Sequence, residues 1–218
     1  MAYNTPLKLL PLLPSKAPNL PIGPVEYSQQ YQDQLLNALR LYFAQVDNFS
    51  QGVSGNNGGG FLRFPYGAFS SYTSQSTTAN TATLVTMTNT DFANGVSLNG
   101  SSGMVVENPG IYNMQFSVQI QNLDNAPEDV FIWLKQNNVD IIGSTGKVGI
   151  PARKAAGNPS HDIKGWNYFL SMNAGDDVQI YWSTTNANVT IPTYAASSSP
   201  TKPSTASVVA TMTFVSAL

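Results

Sequence analysis

The sequence predicts a mainly β protein, an antiparallel jelly-roll sandwich preceded by an extended proline-rich arm and one α-helix. Three observations carry this expectation. After Phe61 the hydrophobic period falls to two and stays there, as a strand with one buried face requires. Turn residues cut that stretch into about ten short strands with no helical pattern between them, the signature of a sandwich or jelly roll. Ahead of it, a proline-dense run gives way to a segment free of Gly and Pro whose apolar residues recur at steps of three and four.

Residues 1–26 hold six of the fourteen prolines, Pro6, Pro11, Pro14, Pro18, Pro21 and Pro24. Each removes an amide donor and pushes its predecessor toward extended geometry, so this is an arm and not a domain. In polyproline form it would reach up to about 80 Å, at about 3.1 Å per residue. Leu9, Leu10, Leu12, Leu13, Leu20 and Ile22 would then be apolar pegs anchoring it to another surface. The alternative is a disordered leader, although a merely solvated segment would carry more Ser, Glu or Lys.

Residues 27–50 form the predicted amphipathic helix, with Tyr27, Tyr31, Leu35, Ala38, Leu39, Tyr42, Val46 and Phe49 along one face. Leu36, Leu41 and Phe43 widen the stripe beyond what a lone surface helix needs. The helix should therefore pack either on copies of itself or on the body of the protein, with Tyr42 and Val46 as candidate contacts between subunits. Residues 51–66 read as a Gly-rich linker. The run Gly52 to Gly60 lacks the Gly-Lys-Ser/Thr ending of a phosphate loop. Gly143-Ser144-Thr145-Gly146-Lys147 has Val148 where a magnesium-binding hydroxyl should stand, and is also expected to be a loop.

Residues 67–218 form the predicted head. Tyr112, Met114, Phe116, Val118 and Ile120 alternate with polar residues. Further strands are expected at Ala82 to Thr88, Val96 to Leu98, Met104 to Glu107, Val130 to Lys135, Asp140 to Ile142, Asn167 to Ser171, Val178 to Ser183, Asn188 to Ile191 and Ser207 to Val215. Two of them are apolar on both faces. If Ile132 and Leu134 face the core, Phe131 and Trp133 point away from it, and Tyr181 likewise opposes Ile180 and Trp182. Such outward aromatics need cover from the helix or a neighbouring subunit. The latter is favoured, which makes Phe131, Trp133 and Tyr181 trimer-interface candidates.

Only 22 of 218 residues are charged, 10 basic and 12 acidic, against about a quarter in an ordinary soluble domain. With a net charge of -2 and no basic cluster, nucleic acid is not an expected partner. No apolar run reaches the length of a membrane span, so no membrane insertion is expected. There is no Cys, and His161, expected in a polar loop before the Trp166 strand, is the single His; neither a metal centre nor an enzyme is expected, and no cofactor. Asp124, Glu128 and Asp129 could offer oxygens to Ca²⁺, but without the spacing of a calcium motif they read as a solvated turn, as do Asp176 and Asp177.

The head resembles the C1q/TNF-type jelly roll. The resemblance lies in Gly67-Ala68-Phe69-Ser70, Val96-Ser97-Leu98, the Gly-x-Tyr-x-x-x-Phe strand from Gly110 to Phe116, Trp133 to Asn137, and Leu170 to Ile180 with its Ala174-Gly175-Asp176-Asp177-Val178 turn. It implies a compact homotrimer that binds or builds rather than catalyses. Tyr31 to Leu36 and Leu39 to Phe49 resemble the leaders of tailed-phage virion structural proteins, particularly cyanophage ones. The two resemblances together imply a virion-surface location and a trimeric capsid decoration or cement protein, in contact with the major capsid protein or another virion protein. The alternative is a receptor- or glycan-binding tip of a tail or head fibre, with a host-surface glycan as partner through aromatics such as Tyr72, Tyr194 or Trp166. Decoration is preferred because 218 residues leave no room for a long shaft.

Overall fold

The computed structural model describes residues 17–54, 64–100 and 102–217. The chain divides into two compact units, up to Arg63 and from Phe64 onward.

In the first unit the described part of the arm has no regular secondary structure up to Ser28. A helix, α1 (Gln29–Ser54), follows. Ser28 is its N-cap, its hydroxyl accepting the Tyr31 amide at 3.4 Å. The helix thus starts two residues after the expected boundary and runs four beyond it, taking in Gly52 and Val53 from the expected linker. The Tyr31 hydroxyl donates to the Pro21 carbonyl at 3.2 Å and ties the arm to the first turn. Among the described residues no helix is long and apolar enough to cross a membrane.

The described residues of the second unit form sixteen strands in chain order: β1 (Tyr66–Ser71), β2 (Gln75–Ser76), β3 (Thr83–Leu84), β4 (Asn89–Asn94), β5 (Val96–Leu98), β6 (Met104–Val106), β7 (Gly110–Asn122) and β8 (Glu128–Gln136) come first. Then come β9 (Val139–Asp140), β10 (Gly146–Ile150), β11 (Ser160–Met172), β12 (Asp177–Thr184), β13 (Val189–Ile191), β14 (Ser197–Ser198), β15 (Thr201–Lys202) and β16 (Val208–Ser216). The first sheet runs β4-β1-β16-β7, with β11 on the other side of β7 and the short β13 and β2 continuing it at one end. The second runs β10-β8-β12-β6-β5, with β3 on β12 and β9 on β8. All these strand pairs are antiparallel and the successive long strands β7, β8, β11, β12 and β16 alternate between the two sheets, which gives the jelly roll the sequence predicts.

Period-two patterning determines what lies between the sheets. Phe69, Tyr112, Met114, Phe116, Val118, Ile120 and Met212 of the first sheet meet Val130, Ile132, Leu134, Val178, Ile180 and Trp182 of the second, nearly all without solvent exposure. The Tyr112 hydroxyl donates to the Asn108 carbonyl at 2.8 Å, and burial pushes its pKa above the ordinary tyrosine value.

The structure corrects several expectations. The Ala82 to Thr88 strand shrinks to Thr83–Leu84. His161 lies not in a loop but in β11, which begins seven residues earlier than expected. Gly146 and Lys147 belong to β10 and not to a loop, and Tyr66 belongs to β1 and not to the linker. The edge strand β4 was not expected: all its residues but one are exposed, it is held chiefly by main-chain pairing to β1, and no hydrophobic alternation betrays it.

Candidate functional site

The outward face of the second sheet carries Phe131 and Trp133 on β8 and Tyr181 on β12, all half-buried. Trp133 and Tyr181 are directly paired across the strands, with ring centroids 5.9 Å apart. The head itself supplies partners that cover part of each ring. The Lys135 ammonium stands 4.6 Å from the Tyr181 ring centroid and the Lys147 ammonium 5.7 Å from that of Phe131. The Trp133 indole N–H donates to Asp140 Oδ1 at 2.7 Å. Each lysine is also ion-paired, Lys135 with Asp140 at 3.3 Å and Lys147 with Asp129 at 2.8 Å.

Beside these rings the chain leaves β9 and makes a raised loop, 141–145. Ser144, 3% exposed, fastens it: its hydroxyl accepts the Leu134 amide at 3.0 Å and donates to the Ile141 carbonyl at 2.7 Å. Gly143 provides the left-handed turn at φ +84°. Between loop and sheet lies an open groove of about 490 Å³ lined by Phe131, Trp133, Asp140, Ile141, Ile142, Gly143 and Thr145.

The outward face of the first sheet differs in chemistry. The outward positions of β1, β16, β7 and β11 carry no Lys, Arg, Asp or Glu. Among them are Ser70, Val209, Thr211, Asn113, Gln115, Ser117, Gly165 and Asn167. Asp91 on β4 is the one carboxylate at its margin, accepting the Ser70 hydroxyl at 3.0 Å. Exposed apolar residues flank the small and amide-bearing centre, Phe92 on β4, Val215 on β16, Ile163 and Phe169 on β11, and exposed Val209 of β16 stands within it. A shallow depression of about 240 Å³ at Gln115, Phe116, Ser117, Val209 and Thr211 marks the middle of the face. No doubly apolar strand marks this face in the sequence, because its β7 positions are Asn, Gln and Ser. Its sequence trace is the absence of charge at outward positions of several strands.

The other predicted residues fall elsewhere. Tyr42 and Val46 are half-buried on α1, while Leu36, Leu41 and Phe43 are exposed. Leu20 and Ile22 of the arm are exposed; Leu9, Leu10, Leu12 and Leu13 lie outside the described residues. Asp124 and Glu128 both accept from the Asn186 amide, Glu128 at 3.0 Å, and Glu128 also accepts from Thr185. Asp129 turns away to Lys147, so the three acidic side chains are divided between two sets of partners. Among the described residues no group of three His, Cys, Asp or Glu could hold a metal ion.

His161 Nδ1 lies 2.9 Å from the Tyr194 hydroxyl, which donates to Gln121 Oε1 at 3.2 Å; burial raises the Tyr194 pKa. Asp176 accepts from Asn137 Nδ2 at 2.8 Å, from the Asn173 amide at 2.8 Å and from Gln136 Nε2 at 3.1 Å. These bonds, led by Asn137, hold its pKa below the usual carboxylate range, as suits a turn residue.

No family model and no curated protein matches the chain. Among solved structures the chain is similar to that of Eiger TNF from S. frugiperda, with 11% sequence identity and a TM-score of 0.44, over 71% of this chain and 94% of that one.

Proposed function

We propose that the chain is a non-enzymatic virion structural protein of a tailed phage, a homotrimer that decorates or cements the capsid surface. Its N-terminal arm anchors it to the major capsid protein or a neighbouring virion protein. The observation that carries the self-association is the uncharged face of the first sheet. A charge-free strip across four strands can be buried against its own copy without desolvating an ion, its amides and hydroxyls pairing across the contact, and the exposed Phe92, Ile163, Phe169, Val209 and Val215 supply the apolar area that favours burial. This moves the main subunit contact from Phe131, Trp133 and Tyr181 to the opposite sheet, with Tyr42 and Val46 of α1 retained as contacts between copies. The tie between Tyr31 and Pro21, with Leu20 and Ile22 exposed on either side of Pro21, supports an arm that presents apolar pegs outward. The virion location rests on the resemblance of the leader.

Two measurements test the reading. Light scattering of the purified chain should give three copies per particle, and Thr211→Lys, which sets a charge in the middle of the face, should shift it to monomer while leaving the β circular dichroism unchanged. A monomeric parent chain would refute the assembly. Antibody against the head should then label the shell of purified particles; label confined to the tail would favour the second reading, a fibre tip that binds a host-surface glycan. The aromatic groove beside β8 is the observation in favour of that second reading.

A further inference from the structure

We propose that the groove between β8 and the 141–145 loop is a binding subsite for the pyranose ring of a neutral sugar. Three features converge. Phe131 and Trp133 line one wall, and aromatic rings are the surfaces on which the C–H face of a sugar rests while its hydroxyls stay free to hydrogen-bond. Asp140 is aimed: the Trp133 indole holds Oδ1 at 2.7 Å and Lys135 holds the same atom at 3.3 Å, whereas no described residue takes Oδ2. With a side chain 65% exposed at the groove, that second oxygen can accept a sugar hydroxyl, and Thr145 adds a hydroxyl of its own to the lining.

The third feature is rigidity. Buried Ser144 fastens the loop to Leu134, so the wall opposite the rings is formed before any ligand arrives. Preorganisation removes the ordering cost that weak ligands cannot overcome.

Charge selects the class. Lys135 and Lys147 are paired with Asp140 and Asp129, so the groove offers no spare charge to an anion or a cation. A volume of about 490 Å³ lies within the usual range for small-molecule sites, and the open side lets the rest of a glycan leave the site. Ile142, 96% exposed on the loop, would rest against the next residue of such a chain. The subsite is independent of the trimer reading and of whether the protein stands on a shell or at a fibre tip.

The test is a titration of the full chain, with its tryptophan indoles ¹⁵N-labelled, against the methyl glycosides of glucose, galactose and mannose, with N-acetylneuraminic acid and choline as charged controls. The Trp133 indole resonance should move with at least one neutral glycoside, at a dissociation constant of about 1 mM, while those of Trp166 and Trp182 and the charged controls stay silent. Asp140→Asn should weaken binding roughly tenfold, the worth of one charge-assisted hydrogen bond, without altering the melting curve. Trp133→Ala should abolish saturation transfer from protein to glycoside and leave the oligomeric state unchanged. A Trp133 signal unmoved by every neutral glycoside, or equal affinity in Asp140→Asn, overturns the proposal. So does a Trp133→Ala chain that dissociates, since the groove would then belong to a contact between copies.

Discussion

At Gly165 the backbone of β11 runs so close to β7 that an added Cβ would stand 2.2 Å from the carbonyl oxygen of Phe116. Backbone cannot yield as a side chain can, so Gly165→Ala should cost about 1–3 kcal/mol in urea unfolding. Gly149→Ala, whose Cβ would meet nothing nearer than Asp129 at 3.8 Å, should be close to neutral in the same measurement. Asp176 makes a prediction in pH. A carboxylate whose folded pKa is lowered stabilises fully above its unfolded value, about 3.9, and the contribution is lost as pH falls through the lowered folded value. Asp176→Ala should therefore melt below the parent near neutral pH, with a gap that narrows only below about pH 4 and closes in stronger acid. The sequence placed Asp176 in its turn from Asn173-Ala174-Gly175 alone. It could not show that Asn137 and Gln136, at the end of another strand, would supply two of its donors.

Among the elements, the strands that the sequence hid are edge strands, and the reason is burial. In β10 only Ile150 is buried and two of five residues are Gly; in β11 the half from His161 to Gly165 extends past the covered core, so neither face is consistently apolar. An edge strand is held by backbone hydrogen bonds to a single neighbour, and backbone bonds leave no trace in composition. By contrast β7, covered on one face throughout, was legible residue by residue. The 141–145 loop depends on one side chain. Ser144→Ala would leave the Leu134 amide without its hydroxyl acceptor in a buried position, and should lower stability by about 1–3 kcal/mol in thermal unfolding. It should also weaken glycoside binding in the groove, because the wall facing Trp133 loses its fastening.

For the whole molecule, the division at Arg63 and Phe64 predicts that residues 64–218 fold alone. Pro65 already accepts the Phe214 amide at 2.9 Å and Phe64 accepts from Asn94, so a cut ahead of Phe64 keeps both contacts and leaves β1 complete. Such a fragment should retain the β circular dichroism and the cooperative unfolding of the full chain; under the proposed virion role it should also lose attachment to the particle. A fragment without a cooperative transition would mean that the helix is part of the fold of the head. If the uncharged sheet carries the assembly, the fragment should also remain oligomeric on sedimentation.

What the sequence determined by itself is the class of fold and the position of its core. Alternation of apolar and polar residues at period two states which side of each central strand is dry, and Gly, Asn and Pro state where the chain turns. The helix with its stripe and the proline-dense arm are likewise local facts. Only the tertiary structure decided what the outward positions do. It placed lysines over Phe131 and Tyr181, tied Trp133 to Asp140, and raised a loop beside them, which makes a groove of residues selected as an interface. It also aligned Asn, Gln, Ser and Thr from separate strands into one uncharged face. The physical reason is the same in both cases: burial of a face is written along one strand, while the chemistry of a surface comes from neighbours across strands, and their register is set by the packing of the whole sandwich.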